Sequence, residues 1–278
     1  MSEQDEWGSH ASDYAEKASS GPQIESVNGI LAALDALLPF EKATAILDNG
    51  CGTGIGIKAL IDDYSARLPD SVRLMAADLS PGMVDVVRKV KTENRGNRFW
   101  DALEFDVWGI EKMSGAKGSS FSHIIASLVM FFSPRPEDAF SEAYRVLKPD
   151  GAIAMTSFQK NGWIELCDVI GKIRPDLKMP SLPAEWASED WIRGQFEKAG
   201  FRDVVIKPVH VSKDIDDPQE FAEFLVKTNN PVVSPILNLF TAEEKKKAVD
   251  MIVSEIRRVN PGSSPKISNV LLLSSARK

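Results

Sequence analysis

Cysteine and histidine are scarce, two and three respectively in 278 residues. That is too little sulfur for a disulfide framework, and no Cys, His, Asp and Glu group has the spacing of a metal site, so no bound metal is expected. Both cysteines are read as thiols of a reducing compartment. No apolar stretch approaches the roughly 20 residues that cross a bilayer, and no secretory leader is evident, so a cytoplasmic protein without a membrane partner is expected. Basic residues are also short, 33 Lys and Arg against 40 Asp and Glu, for a net charge of −7. A nucleic-acid partner is disfavoured, because polyanion binding calls for a basic face. The one basic run, Lys245-Lys246-Lys247, is read as the solvated side of an acidic helix. Against these absences, a hydrophobic content of 43% is enough for one large buried core.

The stretch from Ala45 to Gly56, AILDNGCGTGIG, is the most informative in the chain. A short apolar run ends in Asp48 and opens into alternate glycines at 50, 52 and 54, after which Ile55, Ala59 and Leu60 resume at helical spacing. The pattern predicts strand, glycine turn, helix. Gly50, Gly52 and Gly54 let the main chain take positive φ and let a ligand lie directly on it, which suits a nucleotide-like cofactor. The dinucleotide pattern fails because Ile55 stands where its third glycine belongs, and the phosphate-loop pattern fails because no Gly-Lys-Ser/Thr closes the turn. A second strand, Val72 to Asp78, ends in an acid placed to accept both hydroxyl hydrogens of a ribose. The turn thus provides for a ribose and not for a pyrophosphate.

Further along, Ile24, Val27, Ile30, Leu31, Leu34, Leu37 and Leu38 mark an amphipathic helix stopped by Pro39. Strands and helices then alternate over Ala45–Asp48, Ile55–Leu68, Val72–Asp78, Pro81–Arg95, Ala102–Asp106, His123–Ser127, Pro136–Leu147 and Gly151–Ser157. Such alternation implies a parallel α/β sheet with helices on both faces and ligands beyond the strand carboxyl ends, where Asp48, Asp78, Asp106 and Ser127 fall. Helices are expected at 163–173 and 189–199, the latter stopped by Gly200, and a sixth strand at 204–209. Residues 210–266, again helical, separate it from a last strand at 267–274.

At this point the chain resembles the class I S-adenosylmethionine-dependent methyltransferases. LDNGCGTG matches their first motif, ADLSPGM (Ala77 to Met83) their second, and YRVLKPDGAIAMTSF (Tyr144 to Phe158) the helix-turn-strand that closes the core. Within that family the chain is similar to the ubiquinone-biosynthesis type and to fungal natural-product methyltransferases such as the gliotoxin bis-thiomethyltransferase, through Phe158 to Trp163 and Phe196 to Val204. The resemblance implies a single domain over 1–278: a three-layer sandwich on a seven-stranded, mostly parallel Rossmann-like sheet with its last strand antiparallel. Residues 1–40 would form an N-terminal lid and helix, and 210–266 a helical cap inserted between strands six and seven.

The cofactor implied is S-adenosyl-L-methionine. By motif position Asp48 and Asn49 belong to its turn, Asp48 ordering the turn and the ligand's ammonium. Asp78 takes the ribose, Leu79 and Met83 pack on the adenine, and Asp106 accepts the exocyclic amine with Val107 offering a backbone N–H. Ser127 lies near the methionine half through its carbonyl, and Tyr14 covers that half from the lid. Methyl transfer from a sulfonium is an in-line displacement, so position and exclusion of water matter more than a nucleophilic side chain. No catalytic residue is assigned, His210 being the candidate for proton transfer and His123 structural.

After the fourth strand this chain has Leu128 to Phe132 in place of the Asn/Asp-Pro-Pro-aromatic of amino-methyltransferases. Met130, Phe131, Phe158 and Trp163 therefore outline an apolar substrate pocket. Trp186 and Trp191 are equally well read as core. With two cysteines the arsenite type, which needs several thiolates, is disfavoured. The expected function is methylation of an S, O or N atom of a largely apolar small molecule, in secondary metabolism, by a monomer or homodimer. The alternative is a cofactor-binding regulatory or scaffold protein with little turnover, since fold does not fix function.

Overall fold

The computed structural model of the chain describes residues 5, 7, 8, 11, 22–179, 181–227, 233–262 and 264–278. Seven strands make one sheet: β1 (Ala45–Asn49), β2 (Arg73–Asp78), β3 (Glu104–Val107), β4 (Phe121–Ala126), β5 (Leu147–Asn161), β6 (Arg202–Asp214) and β7 (Lys266–Arg277). Their order is β3-β2-β1-β4-β5-β7-β6, mostly parallel with the last strand antiparallel. β1 pairs in parallel with β2 on one side and β4 on the other, Leu47 standing opposite both Met75 and Ile124. The order therefore reverses between β1 and β4, and the carboxyl ends of those strands border the crevice in which α/β sheets hold ligands.

The helices are α1 (Pro22–Leu37), α2 (Ile55–Tyr64), α3 (Pro81–Glu93), α4 (Arg98–Ala102), α5 (Pro136–Val146), α6 (Gly162–Gly171), α7 (Glu189–Ala199), α8 (Pro218–Lys227), α9 (Ser234–Leu237) and α10 (Ala242–Val259). The expected elements are present with ends shifted by a few residues. Two helices were not expected: the four-residue α9, which contains Pro235, and α4, in what reads as a loop. The Asn97 side chain accepts the Phe99 and Trp100 N–H groups and so starts it, and both aromatic rings are buried.

The chain packs as two compact units. The first comprises Met1–Gln159, Pro183–Val209 and Leu271–Lys278. One face of its sheet, carrying Ile46, Leu74, Ile125, Ala152 and Ala154, is covered by Val27, Ile30, Leu31 and Leu34 of α1 and by Ile57, Leu60 and Ile61 of α2. Each of these larger side chains contributes up to about 1.5–3 kcal/mol by leaving water. An aromatic cluster joins α5 to α7: Phe140 stacks on Trp186 at 5.9 Å and meets Phe196 edge-on at 4.8 Å. Trp186, 1% exposed, is core.

The second unit comprises Lys160–Leu182 and His210–Val270. Residues 210–266 do not pack alone, because Leu166, Cys167 and Ile170 of α6 share a core with Ala222 and Leu225 of α8 and with Ala248, Ile252 and Ile256 of α10. α10 opens with a capping box, Thr241 accepting from the Glu244 N–H while the Glu244 carboxylate accepts from the Thr241 N–H. Burial in this core pushes the Cys167 thiol up to about 12, so it is inert at neutral pH. Among the described residues no helix is long and apolar enough to cross a membrane, and no His, Cys, Asp and Glu group could hold a metal ion.

Candidate active site

Gly50, Gly52 and Gly54 have φ values of 73°, 51° and 87°, so all three bends of the turn lie in the left-handed region. Two of them show what the missing side chains permit. A Cβ on Gly50 would overlap the Val129 side chain, whereas one on Gly52 would meet nothing within 4 Å. The turn is thus pressed against the segment after β4 on one side and open on the other. Four of its N–H groups are engaged: Gly50 and Cys51 donate to the Ala77 carbonyl of β2, Gly52 to Asp78 Oδ2 at 2.8 Å, and Gly54 to the Cys51 carbonyl. Those are the groups with which other glycine-rich loops cradle phosphate.

Asp48 and Asp78 lie on the same face of the sheet, since Asp48 pairs with Ala76 and side chains alternate along a strand. Asp48 is buried and accepts the Ile57 N–H at 2.9 Å from the first turn of α2. Burial pushes its carboxyl up to about 7, a hydrogen bond from Ile57 opposes this, and the charge of Asp78 adds to it. Asp78 is raised as well, first by burial, and lowered in part by the N–H groups of Ser80 and Gly52. Each Asp78 oxygen accepts one of these bonds, the Ser80 N–H at 2.9 Å and the Gly52 N–H at 2.8 Å, which leaves each a further lone pair for a ribose hydroxyl. A third acid, Asp5, accepts from the Gly8 N–H, the Ser80 hydroxyl and the Gly82 N–H, and adds negative charge beside Asp78. Its own carboxyl lies below the ordinary value: burial, the largest influence, raises it, and the hydrogen bonds from Gly82, Gly8 and Ser80 together outweigh that. Among the described residues neither Asp5, Asp48, Asp78 nor Asp106 is paired with a Lys or Arg. Uncompensated acids favour a ligand that brings positive charge.

Asp106 pairs with Ala77 and Val107 with Asp78, so Asp106 shares a face with Asn49. Asp106 Oδ1 accepts the Val107 N–H at 2.8 Å. The Asn49 amide is 1% exposed and neither its nitrogen nor its oxygen has a hydrogen-bond partner among the described residues. Met83 is buried in α3, whose N-cap Ser80 accepts the Met83 N–H. Leu79 is 73% exposed and Val107 45%, two of six large apolar side chains left open among the described residues. They follow Asp78 and Asp106 directly, which provides apolar surface beside acids, as a purine ring requires.

A third exposed apolar side chain, Phe132, stands after β4 in a 3-10 turn, Met130–Phe132. Met130 and Phe131 are buried, and four rings run in sequence from here: Trp7 to Phe132 at 5.5 Å, Phe132 to Phe131 at 4.7 Å, Phe131 to Phe158 at 5.9 Å. Trp163 and His210 fall in the second unit. Trp163 meets Phe221 and Phe224 there, at 5.2 and 6.2 Å, and His210 is exposed on β6. His123 is fully buried, bonded to Ser122 Oγ and the Leu38 carbonyl, and burial lowers its pKa, which makes it a structural residue. Tyr14 lies outside the described residues. The sequence reading missed Asp5 and Ser80, although Ser before Pro81 is a helix N-terminal signal.

A crevice bordered by unpaired acids, with the Gly50, Cys51, Gly52 and Gly54 N–H groups already engaged, suits a ribose-bearing cation such as S-adenosylmethionine, and the chain's likeness to known proteins makes it an S-adenosylmethionine-dependent methyltransferase. Residues 47–155 match the family described as methyltransferase domain. The chain is 29% identical over 272 residues to methyltransferase ucsB of an Acremonium species, an alignment covering 97% of this chain and 93% of that protein. It is 25% identical over 214 residues to acetylaranotin bis-thiomethyltransferase of Aspergillus terreus, covering 74% of this chain and 70% of that one. Its relatives thus include fungal natural-product methyltransferases. Among solved structures, Haemonchus contortus phosphoethanolamine N-methyltransferase 2 in complex with S-adenosyl-L-methionine aligns with a TM-score of 0.51 over 90% of this chain at 16% identity. The alignment spans 52% of that protein's length, and the likeness is one of fold.

Proposed function

We propose that this methyltransferase acts on an S, O or N atom of a largely apolar small molecule in secondary metabolism. S-adenosylmethionine, when bound, supplies a methyl group activated by its positively charged sulfur. In this reading Asp78 takes the ribose hydroxyls, and Leu79, Met83 and Val107 pack around the adenine with Asp106 at its edge. Asp48 favours the ligand's positive charge, Gly52 lets the main chain approach it, and Ser127 lies beside the methionine half. Phe132 at the rim and Phe158 hold the acceptor, backed by the buried Met130 and Phe131, and keep water away from the reacting atoms. No side chain is required as a nucleophile, and a thiol acceptor, ionised near neutral pH, requires no base.

The observation that carries the proposal is the contrast within the first unit between an acidic glycine turn and a row of aromatic rings after β4. Incubation with labelled S-adenosylmethionine and a panel of apolar thiols, phenols and amines tests it. A labelled product with an apolar acceptor is the expected result. Transfer only to charged, hydrophilic acceptors, or to none, would sink it.

A further inference from the structure

Ser127 follows β4 at the point where the sheet order reverses, and its side chain is the half-buried end of a row of hydroxyls. Ser127 Oγ lies 2.7 Å from Ser26 Oγ of α1, and Ser26 Oγ lies 2.6 Å from Thr156 Oγ1 of β5. Thr156 Oγ1 also accepts the Leu128 N–H at 3.1 Å. Ser26 and Thr156 are each 1% exposed. Leu128 itself sits at φ 51°, a left-handed conformation that a residue with a side chain keeps only when it is held. The next residue, Val129, rests on Gly50. The hydroxyl row is thereby tied to the glycine turn.

The row has a direction. Three hydroxyls carry three protons. Thr156 accepts from Leu128, and its remaining partner among the described residues is Ser26, so the one arrangement that gives each buried proton an acceptor has Thr156 donating to Ser26 Oγ. Ser26 then donates to Ser127 Oγ. That leaves the Ser127 proton pointing out of the row, on the member that is not fully buried.

The methionine half of the cofactor carries an ammonium and a carboxylate. Asp48 and Asp78 favour the first and repel the second, and the N–H groups of Gly50, Cys51, Gly52 and Gly54 are engaged by Ala77, Asp78 and Cys51. Resting on the proposed placement of the methionine half beside Ser127, we propose that the Ser127 hydroxyl donates to the cofactor's carboxylate, and that Ser26 and Thr156 are positioning residues that fix the direction of its proton.

The test is calorimetric binding of three ligands: S-adenosylhomocysteine, its decarboxylated homologue, and 5′-methylthioadenosine, which lacks the amino-acid half. Ser127→Ala is expected to weaken S-adenosylhomocysteine about tenfold, as loss of a hydrogen bond to a charged group does, and to leave the other two within twofold. Ser26→Ala and Thr156→Val should follow the same pattern more weakly, and Thr156→Ser, which keeps the hydroxyl, should bind as the wild type does. Equal weakening of all three ligands by Ser127→Ala, or an unchanged affinity for S-adenosylhomocysteine, overturns the proposal. Should Ser26→Ala or Thr156→Val unfold, the half-exposed Ser127 variant and the decarboxylated ligand still decide it.

Discussion

The glycine turn and the aromatic row after β4 are neighbours in the first unit, yet they are built on different physics. The turn is held by directional bonds: Asp78 ties Gly52 to Ser80, Asp48 ties β1 to α2, and Ala77 gathers two N–H groups. Each has one geometry, so the turn suits a ligand that never changes. The row from Trp7 to Phe158 rests on ring contacts of 4.7 to 5.9 Å, which tolerate adjustment. Such a surface suits an acceptor chosen by shape and apolarity. Invariant chemistry sits on hydrogen-bonded main chain, and variable recognition on side-chain packing.

The contrast is broken most severely at Asp78. Asp78→Ala removes the proposed ribose acceptor and leaves the Gly52 and Ser80 N–H groups without it, so affinity for S-adenosylhomocysteine should fall at least about 100-fold by calorimetry. Undiminished affinity would remove the main support for the proposed site. Gly50→Ala comes next. The added methyl group overlaps Val129 at a positive φ, and the protein should lose roughly 2–3 kcal/mol in denaturant unfolding, part of it regained in Gly50→Ala/Val129→Ala.

On the other side of the comparison, Phe132→Ala should raise the acceptor KM about tenfold while leaving cofactor affinity and melting temperature unchanged, because this ring is 49% exposed and lies outside the turn. An equal loss of cofactor affinity would erase the distinction between the two regions.

The smallest effect concerns Asp48 and pH. Its carboxyl is raised from 3.8 to about 7, so between those values the folded state holds a proton that the unfolded chain has released. Stability through this group therefore falls as pH rises from about 4 to about 7 and stays low above. Asp48→Asn should melt about 2–4 °C higher than the wild type at pH 8 in the absence of cofactor, and the gap should close toward pH 4. The same variant should bind both S-adenosylmethionine and S-adenosylhomocysteine more weakly than the wild type at pH 8, because both carry the ammonium that Asp48 favours. A gap in melting temperature that widens on acidification would show that Asp48 is not the group responsible.

Much of this was legible along the chain because its cause is local. Alternate glycines demanded positive φ whatever surrounded them, Gly200 stops α7 at φ 98°, and the apolar steps of α1 announced the face that covers the sheet. The acids of the turn were readable for the same reason, since each ends or follows a strand whose pattern is local. Ser26 was not readable. A serine in the second turn of a helix looks neutral until Ser127 and Thr156, 101 and 130 residues away, are brought to it. Asp5 was hidden likewise, its partners Ser80 and Gly82 lying 75 and 77 positions on.

By itself the sequence determined the strand-turn-helix that opens the sheet, the acids beside it and the apolar character of the segment after β4, because backbone sterics and side-chain alternation act over a few residues. Only the tertiary structure decided which hydroxyls meet, that Leu128 must turn left-handed to set Val129 against Gly50, and that α6 shares a core with the helices of 210–266. Those outcomes depend on contacts closed over scores of residues, where the partner is selected by packing of the whole unit and leaves no mark on the local pattern.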